Sequence, residues 1–328
     1  SGAIAALSLT FARYMGEFVP LDSTGHLVVG ASAIIALTLL NSGGVRYGEA
    51  FTNIFTSLKI LGILLIVGFG VFAGTNISDL AGPDVQRESR GVSSLALAMI
   101  GVLWSFGGWH HASYLSAETR NAERTIPRAM IAGAVIVTVT YLLANYGYLR
   151  LLSVGQIAAS PAVAAEALST VTPMGGKVIA FIIMLSTFGS IGIFTMSAPR
   201  IYFAMARDGK FFSYFARVHP RSGVPVNAIL LQSAWALVLL FIWGTFEKVI
   251  ASVVFMDWVF MIIAALSIFV FRRRKMSSSF RTPGYPLVPL IFIGISVWFL
   301  IYTLFGRPEQ ALWGLGLLAV GLPVYYLG

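Results

Sequence analysis

Cysteine is absent from this 328-residue chain, which excludes disulfide pairing, thiolate metal sites and thiol nucleophiles. Charge is scarce: Asp, Glu, Lys and Arg make up 11% of the residues, against about 25% in soluble domains. There are four histidines, with His110 and His111 adjacent; they make a poor ligand set, so neither a metal nor a cofactor is expected. A basic start of the kind that opens a signal peptide is also missing. The chain begins at Ser1 and enters an apolar stretch at once, and the expectation is that the natural N-terminus lies upstream. No separate soluble domain and no low-complexity run interrupts it.

What is abundant is apolar surface. Hydrophobic residues make up 57% of the chain, mean hydropathy is +0.84, and the apolar runs reach the roughly 20 residues that cross a bilayer as helix. The fold class expected is all-α integral membrane, in contact with lipid along its length. Ten spans are expected, at about 2–19, 26–41, 50–73, 92–117, 128–149, 177–203, 225–243, 249–271, 287–305 and 309–327. Proline and glycine mark the joints, as at Pro20, Pro83, Pro173 and the run Pro283-Gly284-Tyr285-Pro286.

The net charge of +9 does not point to nucleic acid, because the basic residues sit in short loops between spans. Arg46, the Arg120–Arg128 loop, the Arg200–Arg221 loop and the Arg272–Arg281 loop place fourteen cations on one side, against six on the other. The bias assigns the richer side to the cytoplasm, with the chain end there as well. One cytoplasmic loop, 207–225, mixes basic and aromatic residues; it reads either as an interfacial helix or as a connector anchored by its aromatics. Asn76-Ile77-Ser78 is a lone glycosylation sequon.

Candidate chemistry starts at residues 101–114, GVLWSFGGWHHASY. Gly107 and Gly108 stand side by side within a would-be span, each costing a helix about 1 kcal/mol relative to alanine. A break in hydrocarbon is tolerated where the freed backbone is buried or lines a cavity. The stretch is therefore either a discontinuous helix at a transport site or a glycine pair that lets a neighbour pack closely. His110 and His111 suit a pH-sensing role or a capping one.

Lys59 lies about 13 Å into its span at 1.5 Å per residue. A buried amine fits that depth better than a snorkelling one, and serves as a proton carrier or as a fixed cation in place of a coupling metal ion. Asp257 is the one acidic residue deep in a span and calls for a proton relay or a hydrogen-bond partner. Ser186, Thr187 and Ser190 belong to a run of small and hydroxylated residues, Ser186 and Ser190 sharing a helix face; close packing and ion or ligand contact both account for them. Arg13 and Glu17, four apart, read as an interfacial pair.

Several stretches together resemble the amino acid/polyamine/organocation transporter superfamily, and most its L-type amino acid transporter branch. LWSFGGW followed by SAETRNAERTIPRAM is similar to the sixth helix and the loop after it, with Ala122 where the family usually has proline. LNSGGVRYGEAFTNIFTSLKILGILLIVGFGVF is similar to the fourth-to-fifth helix region, SAPRIYFAMARDGKFF with VHPRSGVPVNA to the eighth helix and its loop, and FRTPGYPLVPLIFI to the entry of the eleventh. The match implies the last ten helices of a twelve-helix fold with two inverted repeats of five: residues 1–73 as the remainder of the first repeat, 92–271 as the second and 287–327 as two extra helices, all within a single transporter domain.

The resemblance also implies roles. Trp104 would close over bound substrate, and carbonyls around Trp104, Ser105 and Phe106 would accept hydrogen bonds from its amino group, as suits the negative end of a half-helix. Gly107 and Gly108 would be the hinge. Lys59 would stand where related symporters hold sodium, with Ser186, Thr187 or Ser190 as neighbours. Glu118, Arg200 and Arg207 fall where a cytoplasmic gate would form, and Asp257 replaces a frequent asparagine. Without cysteine the disulfide to a heavy-chain partner cannot form, which favours a stand-alone permease in the plasma or inner membrane.

The function expected is alternating-access transport of α-amino acids, by exchange or proton-linked uptake and without covalent chemistry. The alternatives are an integral-membrane enzyme using Asp257 or His110 and His111 as acid and base, and a polyamine or organic-cation transporter of the same fold.

Overall fold

The computed structural model describes residues 1–44, 49–74, 91–109, 119–276 and 282–327. Among them every regular element is helical: α1 (Gly2–Met15), α2 (Ser23–Ser42), α3 (Glu49–Ala73), α4 (Val92–Ser105), α5 (Ala122–Leu151), α6 (Val154–Ala159), α7 (Val163–Ser169), α8 (Gly175–Ser197), α9 (Pro199–Arg207), α10 (Val226–Trp243), α11 (Phe246–Arg273), α12 (Leu287–Gly306) and α13 (Pro308–Leu327). Helix is the outcome physical chemistry demands of apolar runs in lipid, since it satisfies the backbone within one segment.

Seven of these segments are long and apolar enough to cross a membrane, α8 and α9 counting together as one. The other three of the ten expected spans correspond to α1, α4 and α13. The protein is a multi-pass membrane protein. One expected span is divided. The span expected at 177–203 is two helices, α8 and α9, joined at Ala198; Pro199 follows, and a proline lacks the N–H that would continue the ladder. The connection after α5 holds α6 and α7. Ser153 and Gln156 close a capping box at the start of α6, the side-chain amide oxygen of Gln156 accepting from Ser153 N at 2.8 Å.

The chain forms two compact units. The first comprises Ser1–Gln86, Leu142–Val249 and Ala319–Gly328. In it α1 packs along α8 and α2, while α3 and α7 also pack on α8. Small residues permit this contact: Ala5, Ala6 and Ala12 of α1 are fully buried, and Gly30 of α2 lies against Ser8. Phe11 meets Phe188 at 5.6 Å. The alanine-rich α7 buries Ala164, Ala165 and Leu168 with Ile66 of α3 and Ile179 of α8.

Polar groups in this unit are tied to backbone. Thr38 of α2 donates to Ser233 of α10 at 2.8 Å. Asn41 and Gln232 donate to the carbonyls of Gly192 and Phe194, at 3.2 and 3.1 Å, in the last turns of α8 before its break. Arg150 lies at the C-terminal end of α3, where its guanidinium donates to the carbonyls of Gly70 and Gly74. Cations belong at that end of a helix because its final carbonyls lack helical donors. Arg13 pairs with Glu247 at 3.2 Å and lies over the ring of Phe246. The Arg13–Glu17 pair expected from spacing is thus replaced by a contact from a distant helix.

The second unit comprises Arg87–Tyr141 and Ile250–Leu318. Here α12 packs on α4, with Gly306 against Leu97. Trp258 of α11 stacks on Phe292 of α12 at 5.4 Å and meets Phe299 at 6.0 Å. Ser296, fully buried between those rings in sequence, donates its hydroxyl to the carbonyl of Phe292 at 2.6 Å.

Candidate functional site

The glycine pair at 107–108 lies in the second unit, just past the end of α4. α4 runs from Val92 and stops at Ser105, twelve residues short of the limit expected for its span. Phe106 N still reaches the Val102 carbonyl at 3.0 Å, and Gly107 N bonds Trp104 O at 2.9 Å in a tighter turn. Gly108 then takes φ +96 with open space around it. A side chain is disfavoured in that backbone conformation, so glycine permits the chain to turn off the helix axis here. Gly107 and Gly108 stand at a helix end, and among the described residues the nearest atoms to a Cβ at Gly107 belong to Leu103 and Trp104 of its own helix.

The terminus is held by a residue that the sequence did not single out. Tyr141, on α5, donates its hydroxyl to the Ser105 carbonyl at 2.8 Å and sets its ring edge-on to Phe106 at 5.2 Å. Ser105 turns its own hydroxyl back to Gly101 O at 2.9 Å. Trp104 is half-buried in the last helical turn. The result is a C-terminal helix end whose carbonyls concentrate partial negative charge. The Ser105 oxygen keeps a second lone pair after accepting from Tyr141. Such a place suits an ammonium group. The only hint of Tyr141 in the sequence was a hydroxylated aromatic in an apolar span, and nothing in the spacing ties a residue 36 positions away to Ser105.

Replacing Tyr141 by phenylalanine keeps the ring contact and removes one hydrogen bond. The expected cost is about 0.5–1.5 kcal/mol of stability, read as a lowered thermal transition of the detergent-solubilised protein. An unchanged transition would show that the hydroxyl does not hold the end of α4.

The remaining candidates are in the first unit. On α3, Phe55, Lys59 and Gly62 follow the i, i+4, i+7 spacing of one helix stripe. The ring of Phe55 covers Gly189 of α8, and Gly62 lies against Ile179 and Ile182. Lys59 consequently falls between these two contacts along α3. Ser186, Thr187 and Ser190 are buried. Thr187 donates to the carbonyls of Ile183 and Met184, and Ser190 to that of Ser186, each at 2.9 Å. Their oxygens retain acceptor capacity toward a cation. Lys59 itself is exposed within the chain rather than enclosed by it, and among the described residues no hydrogen bond joins it to the three hydroxyls.

Arg200 and Arg207 are exposed on α9, with Arg207 over the ring of Phe203 at 5.8 Å. Asp257 is exposed on α11 in the second unit, and among the described residues it has neither an ion pair nor a hydrogen bond. His110, His111, Glu118 and the Asn76 sequon lie outside the described residues. Among those described, no three His, Cys, Asp or Glu side chains form a group able to hold a metal.

Comparison with known proteins gives a consistent picture. A family model described as amino acid permease matches residues 1–320. The serine/threonine exchanger SteT of Bacillus subtilis (strain 168) is 31% identical over 331 residues, covering 98% of this chain and 74% of that protein. The large neutral amino acids transporter small subunit 2 of Oryctolagus cuniculus is 27% identical, covering 99% of this chain and 62% of that protein. The Asc-type amino acid transporter 1 of Mus musculus is 26% identical, covering 99% and 63%. The chain thus spans about three quarters of the bacterial relative and under two thirds of the mammalian ones. All three are transporters or exchangers rather than enzymes, in keeping with the resemblance to the L-type branch. This chain belongs to the amino acid permease family.

Proposed function

We propose that the chain serves alternating-access exchange of neutral α-amino acids, with the end of α4 as one wall of the substrate site. The observation that carries this reading is the termination of α4 at Ser105, followed by Gly108 at positive φ, within an apolar segment of a permease-family chain. The substrate ammonium lies against carbonyls of Trp104, Ser105 and Phe106, Trp104 covers it, and Gly107 and Gly108 act as the hinge. Lys59 provides a fixed positive charge beside Ser186, Thr187 and Ser190. Arg200 and Arg207 belong to the cytoplasmic gate. The serine/threonine exchanger among the relatives favours exchange over proton-linked uptake, and it and the large neutral amino acids transporter favour neutral side chains over charged ones.

The loop charge bias supports a cytoplasmic chain end, and the lack of cysteine in these 328 residues favours a stand-alone permease, in the plasma or inner membrane. The 5+5 repeat assignment, with residues 287–327 outside the repeats, completes the reading. Reconstituted in proteoliposomes loaded with unlabelled serine, threonine or leucine, the full-length protein is expected to accumulate the labelled amino acid. The accumulated molecule should be chemically unaltered. No counterflow with a broad amino-acid panel would overturn the proposal.

A further inference from the structure

The basic and aromatic segment between α9 and α10 is not used by the transport reading, apart from Arg207, and its structure gives it a role of its own. It is not one continuous interfacial helix: after α9 ends at Arg207, a short 3-10 turn at Ser213–Ala216 leads into irregular chain. Phe211 is the centre of a compact knot, with its ring 6.2 Å from Tyr202, 5.3 Å from Phe212 and 5.2 Å from Phe215. Asn227 at the start of α10 fixes the turn by donating to Tyr214 O at 3.1 Å. The segment is therefore built, and it stands where the membrane-crossing segment α8–α9 ends and α10 begins.

Its surface has two kinds of side chain together. Phe212, Tyr214 and Val218 are 43%, 55% and 47% exposed, so apolar side chains stand at the surface within a short stretch of the loop. The same residues 199–225 carry five cations against the single acid Asp208, which the hydrocarbon interior would not accept. Only the boundary between lipid and water suits both. Arg217 lies over the ring of Tyr214 at 5.5 Å, so an aromatic side chain positions its guanidinium. Among the described residues none of Arg200, Arg207, Arg217 and Arg221 forms an ion pair, and their charge is left to an outside anion.

We propose that this knot binds the headgroup of an anionic phospholipid, with Arg217 and Arg221 on the phosphate and Phe212, Tyr214 and Val218 against the upper acyl chain. Guanidinium groups match phosphate oxygens in geometry as well as charge. The site rests on the membrane-spanning reading and not on the transported substrate.

The test uses delipidated protein in detergent, titrated with fluorescent phosphatidylglycerol and phosphatidylcholine. The natural sequence is expected to prefer phosphatidylglycerol by at least about five-fold, the order a single surface cation provides, and to lose that preference with added salt. Changing Arg217→Gln and Arg221→Gln together should bring the two affinities together, whereas Arg217→Lys and Arg221→Lys should retain the preference. Inorganic phosphate at millimolar concentration should not displace the lipid. Undiminished preference in the double glutamine variant, or displacement by phosphate as effective as by phosphatidylglycerol, would overturn the proposal. If the double variant is not monodisperse, each single glutamine variant is expected to lower the preference about two- to three-fold, and no change in either is equally decisive against it. Amino-acid counterflow measured on the same preparations separates loss of this site from loss of transport.

Discussion

Gly70→Val is expected to leave little or no folded protein. α3 and α5 meet at Gly70 and Gly147 backbone to backbone: a Cβ at Gly70 would lie 2.7 Å from the Gly147 carbonyl oxygen, and one at Gly147 would lie 2.8 Å from the Ile66 oxygen. The obstacle is main chain in both directions, so no flexible side-chain tip can move aside. Overpacking a tight interior costs about 1–3 kcal/mol where side chains yield, and here the cost should reach at least the top of that range. Separation of the helices would also withdraw Arg150 from the carbonyls of Gly70 and Gly74, leaving polar groups at the end of α3 without their donor. Gly68→Val is the control, since nothing lies within 4 Å of a Cβ at that position. The measurement is the yield and thermal transition of monodisperse detergent-solubilised protein. Comparable behaviour of the two valine variants would refute the close approach.

Trp104→Ala is expected to weaken amino-acid binding by at least about ten-fold, equivalent to roughly 1.4 kcal/mol, with the fold intact. An aromatic side chain that closes over a ligand removes 150–250 Å² of surface when fully engaged. At about 25 cal/mol per Å², partial engagement is enough for that loss. Trp104 is half-buried at the end of α4, so truncation does not empty a sealed core. Trp104→Phe should recover most of the affinity because it retains a ring over the site. The readout is equilibrium substrate binding beside the thermal transition of each variant. Full affinity in the alanine variant, or a loss matched by unfolding, would remove Trp104 from the role of lid.

The places where local reading failed share a physical cause. Arg13 was assigned to Glu17 because i, i+4 neighbours on a helix can touch; its acid in the structure is Glu247, brought there by packing. The break between α8 and α9 is marked by Pro199, yet the apolar run continues across it, and hydropathy does not register a missing N–H. α6 carries a capping-box pair, Ser153 and Gln156, but it lies in a connection between spans, where apolar runs give no signal. For Tyr141 there was no local signal, because the Ser105 carbonyl it holds belongs to another helix.

The sequence by itself determined the class, the ten apolar segments, the place of the break and the family resemblance. Each follows from composition or from patterns within one helix, where lipid leaves the backbone a single economical choice. Only the tertiary structure decided that Gly70 and Gly147 are the close contact, that Tyr141 fastens the end of α4 and that Arg150 serves the end of α3. Those facts depend on which faces of separate helices meet. In an apolar chain many faces are nearly equivalent, and the choice among them is made by shape and hydrogen bonding across helices rather than by hydrophobic pattern.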